Sequence, residues 1–246
     1  YISISMNTHE NGPRIVAAAL IAAVGFALAG AAIGAGFFFS RSTDRYVTVK
    51  GLAEREVDAD LAIWPITFRV SNDNLADLQA EIDTDRSIVN EFLLDAGFQK
   101  GEISYAAPKI FDTRTEQRFR NGTEPEDRYI ANTTVTVRST DVTLVKASME
   151  DAVSLVGRGV MIAAENWQTP TEFLYTSLND IKPDMIETAT VNAREAAEKF
   201  AQDSGSQVGK IRKASQGYFS ISDRDRNSPD KKVVRVVTTV EYFLVD

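Results

Sequence analysis

The chain begins with one long apolar stretch and continues with segments in which apolar residues recur at short, regular intervals. Residues 15–39 are almost all Ala, Gly, Ile, Leu, Val and Phe, and no charged residue occurs between Arg14 and Arg41. At about 1.5 Å per residue, a helix over this stretch is about 37 Å long, which exceeds the roughly 30 Å of a bilayer's hydrocarbon core. The pattern therefore predicts a transmembrane helix over residues 15–40.

A cleaved signal peptide is the alternative interpretation of this stretch. The apolar core of a signal peptide is normally about 7–15 residues long and ends at a small-x-small cleavage site. Ala29-Gly30-Ala31 fits such a site, but apolar residues continue beyond it to Phe39. The pattern favours an uncleaved signal anchor behind a short N-terminal tail, residues 1–14. One arginine precedes the stretch and two follow it closely, so the positive-inside rule leaves the orientation open.

Beyond residue 45 the periodicity alternates between that of a strand and that of a helix. Strands are predicted over Tyr46–Val57 and Leu61–Val70, the second from a clear period of two. Pro65 cannot donate a hydrogen bond to a ladder, which predicts a sheet edge or a bulge at that position. A helix follows, with capping residues among 72–74 and an end at Gly97.

The rest of the chain predicts five more strands and two more helices. The strands are about Ile103–Thr115, Tyr129–Arg138, Val160–Tyr175, Ile211–Ile221 and Lys231–Val245. One helix follows Asp141 and reaches Val156, and the other has Pro183 in its first turn and continues to Gly205. The order ββα-ββα-β-αββ predicts an α+β fold: a mostly antiparallel sheet with three long helices packed on it, preceded by one N-terminal transmembrane helix. Residues 41–246 are expected to form one domain.

Charge and cysteine content narrow the classes of partner. Glu10 and Arg14 are the charged residues among the first 40, so the net charge of −8 belongs to the remainder. An acidic domain repels phosphate backbones, which makes nucleic acid an unsuitable partner. The chain has no Cys, so its core must be stable without disulfides.

Candidate catalytic and metal-binding residues are few. His9 is the one His and precedes the apolar stretch, and the chain has no Cys. His triads, thiol nucleophiles and ordinary zinc sites are therefore excluded from the domain. Asp58 and Asp60 flank a predicted turn, where local hydrogen bonding is expected rather than acid–base catalysis. A calcium-loop pattern is partly matched by Asp223, Asp225, Asn227 and Asp230, but its glycine and its final glutamate are missing. No catalytic residue, cofactor or metal site is predicted.

Three further features are candidates for binding. Trp64 and Trp167 lie in predicted strands, where a core position is expected more often than a ligand platform. The mixed-charge loop Arg118–Arg128 is interpreted as solvated surface or as an intersubunit contact. Gly30 and Gly34 form a small-xxx-small pair, which lets membrane helices approach but arises easily by chance in an Ala/Gly-rich helix.

Several motifs are similar to those of SIMPL-domain proteins. They are Val49-Lys50-Gly51-Leu52-Ala53 with Asp60-Leu61-Ala62, Asp180-Ile181-Lys182-Pro183, the helix Ala193 to Ala201, and Val208-Gly209-Lys210-Ile211. The chain departs from the family pattern at Ser204-Gly205-Ser206. The resemblance implies a periplasmic or envelope protein of Gram-negative bacteria without established enzymatic activity. Some relatives form ring- or channel-like homo-oligomers, and some are linked to oxidative-stress tolerance.

Three functions are compatible with these observations. The first is a protein of the bacterial inner membrane, crossing once, with a periplasmic domain that assembles into a homo-oligomer. The second is a monomeric periplasmic module that binds an envelope ligand or a partner protein, with a pocket near Trp64 or Trp167. The third is an enzyme with paired carboxylates acting on glycans, which requires two carboxyl groups about 5–10 Å apart in one cleft. The first is the leading hypothesis, with the chain itself and the bilayer at residues 15–40 as partners.

Overall fold

The computed structural model describes residues 12–42, 45–115, 127–163 and 170–245, and its elements follow the predicted order. The helices are α1 (Gly12–Ser42), α2 (Leu75–Ala96), α3 (Val142–Asp151), α4 (Ser154–Gly157) and α5 (Leu178–Asp203). The strands are β1 (Tyr46–Asp58), β2 (Leu61–Asn72), β3 (Ile103–Tyr105), β4 (Lys109–Asp112), β5 (Tyr129–Ser139), β6 (Glu172–Leu174), β7 (Gln207–Gln216), β8 (Ser220–Asp223) and β9 (Lys231–Val245). The α+β prediction with antiparallel sheet is confirmed.

The described chain forms two compact units, each built from separate segments. Unit 1 contains the described residues up to Gly51, Ala189–Gln216, and those from Thr238 onward. Unit 2 contains Leu52–Thr188 and Gly217–Val237. Strands β1 and β9 and helix α5 each run from one unit into the other, so no single cut in the sequence separates them. That residues 41–246 form one domain stays a prediction.

Unit 2 contains a five-stranded antiparallel sheet with helices packed on one face. Its strand order is β3-β5-β2-β6, and β4 also pairs with β5. Alternate residues of β2 and β5 are buried, because successive side chains of a strand point to opposite faces. Phe68 is fully buried at the centre of this core, which Leu78 and Leu93 of α2 complete. The predicted alternation of β2 is therefore confirmed.

The ends of α2 and the start of α3 are formed by the residues that the sequence indicated. The side chain of Asn74 accepts a hydrogen bond from Ala76 N (2.8 Å) and caps α2. Gly97 ends this helix with φ 112°, a backbone angle that favours glycine. Asp141 caps α3 by accepting from Leu144 N (2.9 Å). Local side-chain chemistry thus determines where both helices begin.

Unit 1 packs part of α5 on strands β1, β7 and β9. The strand order is β1-β9-β7, and β8, which belongs to unit 2, pairs with the unit 2 part of β9. Four alanines spaced four residues apart form one buried face of α5: Ala189, Ala193, Ala197 and Ala201. Because these side chains are small, α5 lies so close to β1 that a Cβ built on Gly51 would stand 1.7 Å from the Ala189 carbonyl oxygen. Glycine is therefore required at residue 51.

Several element boundaries differ from the prediction. The predicted strand over residues 103–115 is divided into β3 and β4, and the one over 211–221 into β7 and β8. The predicted strand over 160–175 contains an isolated bridge at Ile162 and the short β6, with residues 164–169 outside the described part. The helix predicted to reach Val156 ends at Asp151, and Val156 belongs to the separate α4.

The prediction that Pro183 lies in the first turn of its helix is wrong. Helix α5 begins at Leu178, so Pro183 is its sixth residue. Proline in that position leaves the carbonyl four residues earlier without its usual donor. Pro65 lies in β2 opposite Thr136 of β5, without a register shift. On its other side, described pairing covers Leu61–Ile63 and the bridge at Phe68 but not Pro65 itself, which fits the predicted edge character of that stretch.

Candidate interaction surface

The central segment of helix α1 is wholly apolar. Its segment Val16–Gly36 is long and apolar enough to cross a membrane and is fully exposed. A soluble core helix of this composition would be buried, whereas an exposed one finds its apolar surroundings in lipid. The predicted N-terminal apolar helix is thus confirmed as a candidate membrane span, which a membrane anchor and a signal sequence would both show.

Strand β1 is an edge strand, with β9 as its single neighbour in the described sheet. At one end of β1, Leu244 N donates to Arg45 O (2.8 Å). At the other end, Ala59 N donates to Asp230 O (2.8 Å). Both bonds fit one continuous antiparallel register in which odd-numbered residues of β1 turn their backbone groups toward β9. The N–H and C=O groups of even-numbered residues, including Thr48, therefore point toward the edge.

The unit 1 part of this sheet has one face that carries a group of basic and aromatic residues. The odd-numbered residues of β1, such as Val49, are buried beneath α5, so the even-numbered ones occupy the opposite face and are exposed. We call this group the basic face; it consists of Tyr46, Lys50, Arg212, Lys213 and Glu241.

Contacts within the basic face order its centre. The Arg212 guanidinium lies over the Tyr46 ring, 4.2 Å from the ring centroid, and its Nη1 lies 2.9 Å from Glu241 Oε2. Lys213 is opposite Glu241 in the β7–β9 pairing. Neither Lys50 nor Lys213 has an ion-pair partner among the described residues. The basic face therefore carries three positive charges and one negative charge.

On the part of β1 that belongs to unit 2, each exposed acidic side chain forms an ion pair with a basic side chain from elsewhere in that unit. The pairs are Glu54 with Arg235 (3.6 Å), Glu56 with Arg224 (3.8 Å), and Asp58 with Lys231. Each positive charge here has a carboxylate beside it. This region is balanced in charge, and exposed pairs of this kind contribute little to stability.

Asp60 forms a long-range contact, so the prediction of local hydrogen bonding at the turn is wrong for this residue. Asp60 Oδ1 accepts from Thr176 N (2.7 Å) and Thr176 Oγ1 (2.9 Å), and Asp60 Oδ2 accepts from Ser177 N (2.9 Å). Burial alone would raise the pKa of Asp60, but these hydrogen bonds outweigh it and hold the pKa below its ordinary value. A carboxylate held in this way joins the start of β2 to the start of α5.

Burial raises the pKa of the neighbouring Tyr175, and the negative charges of Asp60 and Asp180 add to that effect. The Tyr175 hydroxyl donates to Ser177 O (3.1 Å). Both groups therefore stabilise the turn before α5. Asp58, the other candidate at this turn, pairs with Lys231 of β9.

The residues that partly match a calcium loop lie in the β8–β9 hairpin, and each carboxylate is held by a cationic side chain. Asp223 accepts from Lys232, and Asp230 accepts from Lys146 Nζ (2.9 Å). Asp225 accepts from Arg224 Nε (2.9 Å), which lowers its pKa. Within the described ranges no group of three or more metal-ligating side chains occurs. The interpretation as a hairpin loop is confirmed.

The mixed-charge loop lies mostly outside the described residues, because 116–126 are not described. At its base, Arg128 donates to Asp112 Oδ2 from Nε (3.2 Å) and Nη2 (3.0 Å). This hydrogen bond lowers the pKa of Asp112. Asp127 accepts from Ser71 Oγ (2.6 Å). The base of the hairpin is thus fixed to the unit 2 sheet, and an intersubunit role for the loop stays a prediction.

Trp64 is a core residue, as expected. It is 6% exposed and belongs to the unit 2 cluster around Phe68, so it offers no ligand platform. Trp167 lies outside the described residues. The binding-module hypothesis therefore gains no support from Trp64.

Sequence reasoning did not identify the basic face. The alternation that places Tyr46, Thr48 and Lys50 on one side of β1 was available in the sequence. Their association with Arg212 and Lys213 was not, since about 150 residues separate the end of β1 from the start of β7.

Comparison with known proteins gives one positive result. The SIMPL family model, described as "Protein of unknown function (DUF541)", matches residues 47–241. No curated protein shows a significant match to the chain. The matched range runs through both units and ends within β9.

Proposed function

The chain belongs to the SIMPL family, and from this premise we propose that it is an anchored envelope protein whose domain assembles with copies of itself. We place it in the bacterial inner membrane, crossing once through α1, with the domain in the periplasm. Its role is structural rather than enzymatic, with neither nucleic acid nor a cofactor as partner. The apolar, exposed Val16–Gly36 segment supports the anchor.

The observation that carries self-assembly is the edge of β1. This strand is 13 residues long and has β9 as its one hydrogen-bonded neighbour among the described strands. An edge of this length presents a row of backbone donors and acceptors that another strand can satisfy. The strand supplies no proline, the residue that most directly blocks such pairing. A second copy of the chain is the partner that is always present at the right concentration.

The form of the assembly depends on which strand of the other copy pairs with β1. Pairing of β1 with β1 of another copy is self-complementary and gives a dimer. Pairing of β1 with the opposite edge strand, β7, is head-to-tail and gives a ring when the rotation closes. We propose the head-to-tail arrangement, in agreement with the ring- or channel-like assemblies that the family resemblance implies. The mass of the particle distinguishes a dimer from a larger ring.

The test is the mass of the full-length protein in detergent, measured by light scattering or native mass spectrometry. We expect a discrete oligomer larger than a dimer. In Thr48→Pro the N–H that points to the edge is lost, and the residue's contacts with β9 are retained, so we expect monomers. Thr48→Val keeps that N–H and should assemble like the wild type.

Other outcomes contradict the proposal in distinct ways. A monomeric wild-type protein would overturn self-assembly itself. Assembly that survives Thr48→Pro but is lost in Gly30→Leu and Gly34→Leu would place the contact in α1 instead of the β1 edge.

Location and physiological role are tested in cells. A protease added to spheroplasts should digest the domain if it faces the periplasm, and an intact domain would contradict that orientation. The resemblance extends the proposal to oxidative-stress tolerance. Cells that lack the chain should then survive peroxide less well, and the Thr48→Pro variant should not restore survival.

A further inference from the structure

We propose that the basic face is a contact surface for the anionic lipid headgroups of the bilayer that holds α1. This interaction goes beyond self-assembly: its partner is lipid, and its residues differ from the backbone edge of β1. The site lies wholly in unit 1.

The first argument is charge. The protein as a whole is acidic, with a net charge of −8, yet the basic face carries Lys50, Arg212 and Lys213 against the single carboxylate of Glu241. The exposed Lys210 adds another positive charge at the irregularity of β7 between Val208 and Ile211. The unit 2 part of β1, in contrast, pairs each basic side chain with an acidic one. An unbalanced cluster of this kind favours an anionic partner.

The second argument is distance along the chain. Helix α1 ends at Ser42, six residues after Gly36, and β1 begins at Tyr46. Six helical residues rise about 9 Å, and four extended residues reach at most about 14 Å. Tyr46 therefore lies within about 23 Å of the end of the apolar segment. This short connection lets the basic face lie at the membrane surface, where the negative potential of anionic lipids attracts basic residues within about one Debye length.

The third argument is the kind of residue at the centre of the basic face. Tyrosine is enriched at membrane–water interfaces, where its ring sits at the level of the headgroups and its hydroxyl stays hydrated. Tyr46 is 46% exposed, and Arg212 lies over its ring. A guanidinium held in a fixed orientation is well suited to bind a lipid phosphate.

The experiment uses the full-length chain in nanodiscs, and it exploits the absence of native cysteine. Ser215→Cys places a single fluorophore on β7 opposite Thr239, on the same side of the sheet as Lys213 and Glu241. The discs contain phosphatidylcholine alone or with phosphatidylglycerol, plus a trace of lipid with a quencher on its headgroup. We expect several-fold stronger quenching in the phosphatidylglycerol discs. Raising the salt from about 0.01 M to about 1 M shortens the Debye length from about 30 Å to about 3 Å and should abolish the difference.

Matched charge variants show whether the basic face is responsible. Lys50→Glu with Lys213→Glu should remove the additional quenching, since each basic residue lost near an anionic surface weakens the contact about fivefold. Lys100→Glu with Lys109→Glu makes the same change in net charge at exposed lysines of unit 2 and should leave it intact.

Three results would overturn the proposal. One is equal quenching in the two kinds of disc. Another is an equal loss of quenching in both pairs of charge variants, which would indicate a general effect of net charge. The third concerns phosphatidylcholine discs, in which an aqueous quencher fails to reach the label when each disc holds several copies of the chain. If the quencher then reaches the label in discs that hold one copy, another copy covers the basic face. That outcome would assign the basic face to a second copy of the chain.

Discussion

The two units both pack a helix on antiparallel strands, but they bring the layers together with side chains of different size. In unit 2, α2 contributes Leu78, Ile82, Val89 and Leu93 to a core that contains Trp64 and Phe68. In unit 1, α5 contributes alanines against Val49, Val240 and Tyr242. Large side chains keep two backbones apart, whereas alanines opposite a glycine let the backbones touch.

This difference predicts opposite sensitivities to substitution. A core of large side chains is damaged when one of them is truncated, because the cavity that remains is only partly filled by relaxation. A contact between backbones is damaged when any atom is added, because neither backbone can move aside. Unit 2 should therefore be most sensitive to substitutions that replace a large side chain with a small one. Unit 1 should be most sensitive to substitutions that replace a small side chain with a large one.

The largest effect is expected for Phe68→Ala in unit 2. Phe68 is fully buried in the sheet beneath α2, and truncation of such a residue typically costs about 4 kcal/mol. Urea unfolding of the detergent-solubilised chain measures this change. Phe200→Ala is the control, because Phe200 is 61% exposed on α5 in unit 1, and its loss should change the free energy of unfolding by about 0.5 kcal/mol or less. Equal costs for the two would contradict the comparison.

A somewhat smaller effect is expected for Gly51→Ala in unit 1. The added methyl group would stand 1.7 Å from Ala189 O and 2.5 Å from Ala193 N, so α5 must move away from β1. We expect a loss of about 3 kcal/mol in the free energy of unfolding. Gly101→Ala is the matched control, since nothing lies within 4 Å of a Cβ there, and it should be near neutral. A stable Gly51→Ala protein would refute the backbone contact.

A third effect is expected for Asp60→Asn, which removes the carboxylate that accepts hydrogen bonds at the turn before α5. We expect the free energy of unfolding to fall by about 2 kcal/mol at neutral pH. The folded state keeps the pKa of Asp60 below 3.8, so the ionised carboxylate stabilises the protein above that pH. The stabilisation is lost as the pH falls below 3.8 through the lowered pKa. The difference between wild type and variant should therefore shrink in acid.

Unfolding curves at several pH values measure the Asp60 effect, with Asp58→Asn as the control. Asp58 forms an exposed pair with Lys231, so its substitution should cost less than about 1 kcal/mol. A pH-independent difference for Asp60→Asn would show that the hydrogen bonds act through geometry alone.

The elements that the sequence predicted correctly are those whose signal is local. The caps Asn74, Gly97 and Asp141 act on the nearest turn of helix, and the period-two alternation of β2 depends on burial of one face. Strand β9 was predicted with the bounds that it has, Lys231–Val245, because its apolar run is long and bounded by polar residues.

The elements that were predicted wrongly depend on contacts that are distant in the chain. Asp60 is favourable at a turn, and nothing near it in sequence indicates partners 116 and 117 residues away. Pro183 is compatible with a first turn, but α5 begins earlier, at Leu178 beside the turn that Asp60 holds. The basic face likewise required the pairing of β9 with both β1 and β7.

The position of β9 between β1 and β7 also delays the folding of unit 1 during synthesis. β9 follows both neighbours in the chain, and about 185 residues separate the first residue of β1 from the first of β9. At roughly 5–20 residues per second, a ribosome needs about 10–40 s to cover that interval. During this time β1 lacks its strand partner and is exposed to incorrect pairing with neighbouring nascent chains. Unit 1 therefore cannot complete its sheet until β9 has been synthesised, and crowded translation should be the condition under which this protein aggregates.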